Sequence, residues 1–136
     1  MRAEVQFFTV PDGWHQDERG WVYFPFQHLR LEQASGEMLA SCHVVAIAPG
    51  EVRGQHLHPH KTEWLYLIAG TGTLFWRDRE DYLQRQSFTP DQRLVVIAPG
   101  VPHALRNDGP ETLYLLAWRA TVPVETAPET VAAPLI

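Results

Sequence analysis

The stretch PGEVRGQHLHPHKTEWLYLIAG, residues 49–70, is the part of the sequence that decides the fold and the site. It places His56, His58, His60 and Glu63 within eight residues and then continues as an apolar segment. Side chains alternate between the two faces of an extended chain, so His56 and His58 point to the same side. We therefore expect both imidazoles to reach one metal ion, with Pro59 breaking the strand so that a turn returns Glu63 to that side.

Short apolar segments bounded by turn residues surround this stretch. The pattern predicts strands over residues 4–10, 21–26, 38–48, 55–58, 62–69, 73–77, 82–89, 93–98, 103–107 and 111–119. Gly70-Thr71-Gly72 is expected to close a hairpin, residues 27–36 are ambiguous, and no segment predicts a substantial helix. Many short strands with Gly, Pro, Asn and Asp between them indicate an all-β sandwich or barrel.

Length and composition limit what the protein can be. With 136 residues, of which 45% are hydrophobic, the chain is expected to form one compact domain. A net charge of -5 argues against a general nucleic-acid binder, which needs a basic face, so small molecules are the expected partners. The apolar runs are too short to cross a bilayer and the first residues lack a secretory-signal pattern, so a cytoplasmic protein is expected. The single cysteine, Cys42, permits no intrachain disulfide and is expected to be an inert buried thiol.

The end of the sequence differs in composition from the rest. Residues 121–136 are rich in Pro, Ala and Val and are predicted to form an arm beyond a single domain of residues 1–120. An ordered apolar arm needs a surface to lie on, either its own barrel or a groove on a second subunit. The period of two directs Trp64 and Tyr66 away from Glu63, toward a second sheet or a subunit partner. The arm and these two aromatic side chains together favour a homodimer.

The spacing of the opening stretch resembles the first motif of the cupin superfamily. Five, one, four and six residues separate the motif positions, which are Gly50, His56, His58, Glu63 and Gly70. The segment Gly100-Val101-Pro102-His103, followed after three residues by Asn107, resembles the core of the second cupin motif. Two positions depart from that motif, since Ala98 stands where the family has proline and Gln92 stands where it has its opening glycine. Both positions shape a turn rather than bind metal.

The resemblance covers residues 38–119 and implies a double-stranded β-helix, or jelly roll, whose ligands project inward from facing strands. It makes His103 the fourth metal ligand beside His56, His58 and Glu63. Three imidazoles and one carboxylate suit one divalent transition-metal ion, Fe(II), Mn(II), Zn(II), Ni(II) or Co(II), whereas calcium is disfavoured. Four ligands leave two of six positions open for a substrate or dioxygen. Because neutral imidazole is the ligand form, the ion is expected to leave below about pH 6.

Other residues receive weaker assignments. Glu63 shares its face with Leu65 and Leu67, and His103 shares its face with Leu105 and Asn107, so each ligand is expected to head an inward apolar row. Candidates for the barrel mouth are Arg53 and Gln55, and His60 is predicted to lie in a loop with a supporting role. Three aromatic residues are predicted as core or cavity wall, and three histidines as ordinary surface or hydrogen-bonding residues: Phe75, Trp76, Trp118, and His15, His28, His43.

Three functions remain open from the sequence. The first is a metal-dependent enzyme acting on a small oxygen-rich metabolite by isomerase, decarboxylase or dioxygenase chemistry. The second follows from Asp17-Glu18-Arg19-Gly20-Trp21, which resembles a segment of cupin-fold deoxysugar ketoisomerases and epimerases of polysaccharide biosynthesis. This resemblance implies sugar-nucleotide chemistry without metal, in which His58 or His103 moves protons. The third is a binding or sensor module that holds a small ligand without turning it over.

Overall fold

Antiparallel strands make up most of the computed structural model, which describes residues 4–26, 36–121 and 130–136. The strands are β1 (Val5–Phe8), β2 (Trp14–Asp17), β3 (Gly20–Tyr23), β4 (His43–Ile47), β5 (Val52–Leu57), β6 (Lys61–Ala69), β7 (Gly72–Arg77), β8 (Leu83–Phe88), β9 (Leu94–Ile97), β10 (His103–Asn107), β11 (Leu113–Thr121) and β12 (Val131–Ala132). One short helix, α1 (Gly36–Ser41), precedes β4. The predicted all-β fold with little helix is confirmed.

Two five-stranded sheets and one hairpin contain these strands. The first sheet has the order β1-β9-β6-β11-β4, the second has the order β12-β5-β10-β7-β8, and β2 pairs with β3. Because β5, β6 and β7 alternate between the two sheets, the chain winds around a common interior, as in a double-stranded jelly roll. The predicted jelly-roll architecture is therefore confirmed.

The turn at Gly70-Thr71-Gly72 does not close a hairpin, and that prediction was wrong. It carries the chain from β6 in the first sheet to β7 in the second, and β7 instead pairs with β8 across residues 78–82. Gly70 has a φ of +100°, and a Cβ there would lie 2.9 Å from the Cα of Leu113. Glycine thus lets the chain turn tightly against β11 as it changes sheets.

The main core lies between the two sheets. The predicted inward rows are buried, with Leu65 and Leu67 following Glu63 along β6, and Leu105 and Asn107 following His103 along β10. Further apolar side chains from both sheets complete the cluster: Ile47, Leu74, Phe88, Val95, Ile97, Val101, Leu113, Leu115 and Ala117. Glu63 and His103 therefore each lie at the end of a packed row.

A second apolar cluster covers the outer face of the first sheet. Tyr66 is 2% exposed and stacks on Tyr23 of β3, with ring centroids 4.1 Å apart. Trp64 stacks on Trp118 of β11 at 6.1 Å, and Met38 of α1 belongs to the same cluster. The β2–β3 hairpin and α1 of the same chain thus cover the side chains that the sequence directed toward a second sheet or a partner.

The predicted strand 38–48 was wrong over its first residues, which form α1. Met38 is buried in the outer cluster, and Glu37 beside it accepts a hydrogen bond from Lys61 Nζ at 2.7 Å. Glu37 also binds the backbone and hydroxyl of Thr121. These long-range contacts anchor a helical turn that the apolar run alone does not reveal, and β4 begins only at His43.

The end of the chain lies along β5. Val131 pairs with Leu57 and Ala132 pairs with His56, which makes β12 the edge strand of the second sheet. The ambiguous residues 27–35, with His28, and residues 122–129 of the predicted arm lie outside the described residues, so the division of the chain at residue 120 stays a prediction. No helix within the described ranges is long and apolar enough to span a membrane.

Candidate metal centre

Four side chains from β5, β6, β10 and the turn between β5 and β6 converge at one end of the main core. They are the predicted set His56, His58, Glu63 and His103, and one potential ligand atom of each lies within 4.8 Å of those of the others. His58, Glu63 and His103 are buried, and His56 is half-buried. The pairing of His103 opposite His56 brings together residues that are 47 positions apart (103 − 56).

Both ring nitrogens of His103 are engaged. Its Nδ1 lies 2.9 Å from the carbonyl oxygen of Val101, and its Nε2 lies 2.8 Å from Oε1 of Glu63. A carbonyl oxygen only accepts, so Nδ1 carries a proton and Nε2 is the nitrogen that faces the cluster. The backbone of β10 thereby fixes the orientation of this imidazole.

Glu63 is the acidic centre of the cluster. Its Oε2 lies 3.5 Å from His58 Nε2 and 3.8 Å from Arg119 Nε. Burial alone would raise the pKa of Glu63, but hydrogen bonding to His103 and His58 outweighs burial and holds the pKa well below its usual range. Glu63 is therefore a carboxylate at neutral pH.

His56 is neutral at the same pH. Burial is the main cause that lowers the pKa of His56, and together with the neighbouring His103 and His58 it brings this pKa to about 4. A neutral imidazole beside a carboxylate is the protonation state that a transition-metal ion requires of its ligands. The electrostatics of the cluster therefore suit a divalent cation.

A β-bulge in β5 shapes this end of the barrel. His103 pairs with His56, but Ala104 pairs with Gly54, so Gln55 is an extra residue in β5. Gln55 has a φ of +59° and Gly54 has a φ of +99°. The bulge resets the alternation, and Arg53 and His56, which a regular strand would place on opposite faces, both line one cavity.

This cavity has a volume of about 520 Å³ and is lined by residues of β4, β5, β6, β10 and β11. Three residues of the cluster, His56, Glu63 and His103, line the cavity, and His58 does not. Arg53 and His43 are exposed lining residues, and the remaining wall is mostly apolar, including Val45, Ile47, Leu65, Leu105 and Leu115. Among the described residues Arg53 has no ion-pair partner.

The structure separates the other predicted site residues. Arg53 lines the cavity, but Gln55 hydrogen-bonds residues 135 and 136, and His60 lies in the turn outside the cluster. Phe75 and Trp118 are buried core residues, and Trp76 packs against the core. The segment Asp17–Trp21 forms the exposed β2–β3 turn and lines no part of the cavity.

Sequence reasoning did not find that His43 lines the cavity or that Thr130 contacts His58, and it placed Cys42 deeper than the structure does. His43 was expected at the surface and is exposed, yet it also lines the cavity. Thr130 Oγ1 lies 3.2 Å from His58 Nδ1 and carried no signal in the sequence. Cys42 is half-buried, and burial raises its pKa, which agrees with an unreactive thiol.

A comparison with models of known protein families shows which family the chain belongs to. The model of the cupin domain matches residues 43–119, more than half of the chain. The chain belongs to the cupin family. A comparison with curated proteins finds no similar sequence.

Several solved structures share the fold of this cupin. CapF of Staphylococcus aureus, a capsular polysaccharide assembling protein, is 23% identical with a TM-score of 0.60, but the match covers 69% of this cupin and only 28% of CapF. A 3,4-ketoisomerase from Helicobacter canadensis is 14% identical with a TM-score of 0.70, covering 96% of this cupin and 92% of the ketoisomerase. The Legionella pneumophila dTDP-6-deoxy-D-glucose-3,5-epimerase RmlC, solved with dTDP-4-keto-L-rhamnose, is 15% identical with a TM-score of 0.65, covering 88% and 68% of the two chains.

Proposed function

We propose that this cupin binds one divalent transition-metal ion through His56, His58, Glu63 and His103, and that a small oxygen-rich molecule binds beside it in the cavity. The observation that carries the proposal is the pair of contacts made by His103. The Val101 carbonyl requires a proton on Nδ1, and without an ion the contact between Nε2 and the Glu63 carboxylate requires a second proton, because both of these atoms otherwise offer only lone pairs. A divalent ion replaces the second proton and satisfies Nε2 and the carboxylate together.

The donor set fits such an ion. Three imidazole nitrogens and a carboxylate oxygen suit Fe(II), Mn(II), Zn(II), Ni(II) or Co(II), and ligand identity does not choose among them. When bound, the ion would supply Lewis-acid stabilisation to an oxygen atom of the ligand. The remaining tasks belong to the chain itself.

The cavity wall defines the rest of the ligand site. The wall is mostly apolar, and Arg53 offers a guanidinium without an ion-pair partner among the described residues. A volume of about 520 Å³ lies within the usual range of small-molecule pockets. We therefore propose a small organic anion as the ligand and isomerase, decarboxylase or dioxygenase chemistry as the reaction.

A second candidate is a metal-independent sugar-nucleotide ketoisomerase or epimerase. It is favoured by the likeness to the H. canadensis ketoisomerase, which extends over 96% of this cupin and 92% of that chain. In this function His58 or His103 would move a proton between adjacent carbons. His103 is poorly placed for this task because Val101 and Glu63 engage both of its nitrogens. A non-catalytic binding or sensor module is the third candidate.

Metal analysis separates the candidates. Protein purified without a histidine tag should contain close to one ion per chain, and stripped protein should bind one added Zn(II) or Co(II). We expect His56→Ala and Glu63→Ala to weaken binding strongly, whereas His60→Ala, the matched control outside the cluster, should bind like the wild type. Stripped wild-type protein that binds no divalent ion would refute the metal proposal, and full activity of stripped protein on a sugar nucleotide would establish the second candidate.

The assembly and the location of this cupin stay predictions. Because the chain itself covers Tyr66, and residues 130–136 lie on β5 of the same chain, neither feature now argues for the predicted homodimer. Sedimentation at micromolar concentration tests the dimer, and cell fractionation tests the cytoplasmic location.

A further inference from the structure

We propose that residues 130–136, named here the C-terminal segment, position two of the metal ligands, with Thr130 orienting His58 and Gln55 holding the backbone beside His56. The inference rests on the proposed metal function and goes beyond it, because it assigns roles to residues outside the ligand set.

The C-terminal segment is bound to the strand that carries the ligands. Val131 and Ala132 pair with Leu57 and His56, and the backbone N–H of Ala133 donates to the Gln55 carbonyl at 2.9 Å. Alternate side chains of the segment, those of residues 131, 133 and 135, are the less exposed ones. The segment is thus a strand-like edge that covers β5 immediately opposite His56.

Thr130 contacts the side of His58 that faces away from Glu63. Its hydroxyl lies 3.2 Å from His58 Nδ1, while His58 Nε2 faces Glu63 at 3.5 Å. A hydroxyl can donate or accept, so it suits His58 with or without a proton on Nδ1. If Nε2 binds an ion, Nδ1 carries the proton and donates a hydrogen bond to the Thr130 hydroxyl, as Nδ1 of His103 donates to the Val101 carbonyl.

Gln55 links the C-terminal segment to the bulge. Its Oε1 accepts from the backbone N–H groups of Leu135 at 2.8 Å and Ile136 at 3.1 Å, and its Nε2 donates to the Ile136 carbonyl at 2.9 Å. A φ of +59° is unfavourable for a residue with a side chain, so these contacts stabilise a conformation that β5 alone would resist. Because His56 is the next residue, its direction depends on that conformation.

The test uses stripped protein titrated with Co(II), whose visible absorption reports on ligand geometry. We expect Thr130→Val to weaken Co(II) binding about tenfold and to change the absorption band, because the isosteric side chain removes the hydroxyl. Thr130→Ser should restore both, and Thr9→Val, a change at an exposed threonine after β1, should have no effect. Wild-type affinity and spectrum in Thr130→Val would overturn the role of Thr130.

Two further measurements keep this inference distinct from the metal proposal. Nitrogen chemical shifts of the imidazoles in metal-free protein should change at His58 in Thr130→Val and stay constant at His103, and unchanged His58 shifts would count against the contact. Gln55→Leu should weaken Co(II) binding without unfolding the metal-free protein, and removal of residues 130–136 should do the same. Wild-type Co(II) affinity in both variants would show that the C-terminal segment has no positioning role. Failure of the wild-type protein to bind any divalent ion would refute the metal proposal, and the His58 chemical shifts would still test the contact with Thr130.

Discussion

Replacing Gly54 with alanine is expected to damage the fold and the ligand geometry together. Gly54 has a φ of +99°, in the left-handed region that costs an L-residue about 1–2 kcal/mol. A Cβ at this position would lie 3.0 Å from the His103 carbonyl oxygen and 3.1 Å from the Ala104 Cα, and neither backbone atom can rotate away. Overpacking against fixed atoms adds about 1–3 kcal/mol.

The two costs together predict a loss of roughly 2–5 kcal/mol in the free energy of unfolding, and therefore a fall of roughly 6–20 °C in Tm. Two controls separate the causes. Gly50→Ala shares a positive φ of +79° but meets no atom within 4 Å, so it should lose only the strain cost of about 1–2 kcal/mol. Gly36 has neither a positive φ nor an atom within 4 Å of an added Cβ, so Gly36→Ala should be as stable as the wild type or slightly more stable.

Urea denaturation of the metal-free variants gives these free energies, and Co(II) titration then reports on the ligands. Because residue 54 opposes the backbone between His103 and Ala104, we expect Gly54→Ala also to bind the ion more weakly than either control. A Gly54→Ala variant as stable as Gly36→Ala would refute the bulge argument.

Three further predictions test other parts of the structure. Asn107 is 1% exposed, its side-chain amide donates to two backbone carbonyls, and its side-chain oxygen accepts from the backbone N–H of Gly109. Asn107→Leu should therefore lower the free energy of unfolding, measured by urea denaturation, by about 2–4 kcal/mol. A loss below about 1 kcal/mol would contradict this role. Partial burial would raise the pKa of Glu37, but Lys61 and Thr121 outweigh it and lower the pKa to about 2, so its stabilising contribution is present above about pH 4.5 and is lost as the pH falls toward 2. Glu37→Gln should therefore flatten the decline in stability between pH 5 and pH 2, and an unchanged slope would count against the network. Arg53→Gln should weaken binding of an organic anion to metal-loaded protein about tenfold in calorimetry and leave a neutral analogue unaffected, and equal effects on both would contradict a charge contact.

The sequence predicted the parts of the fold and site that follow from local spacing. The even separation of His56 and His58 and the rows led by Glu63 and His103 depend only on strand alternation, and the structure shows these rows buried. The bulge at Gln55 breaks that alternation, which is why the place of Arg53 in the cavity did not follow from counting. Gly54, which directly precedes the predicted strand 55–58, was a local sign of this irregularity.

Contacts between distant residues explain the remaining differences. Glu37 in α1 binds Lys61 and Thr121, and these partners lie 24 and 84 positions away. Thr130 meets His58 across 72 positions. No local pattern encodes such contacts, so the helix and the C-terminal segment on β5 had to come from the structure.

Anomalous scattering from crystals of this cupin grown after loading with Zn(II) or Co(II) tests the central claim most directly. A peak at the absorption edge is predicted at about 2.0–2.2 Å from one nitrogen each of His56, His58 and His103 and from a Glu63 oxygen. The absence of a peak among these four side chains, or a single peak elsewhere such as at His60, would contradict the account.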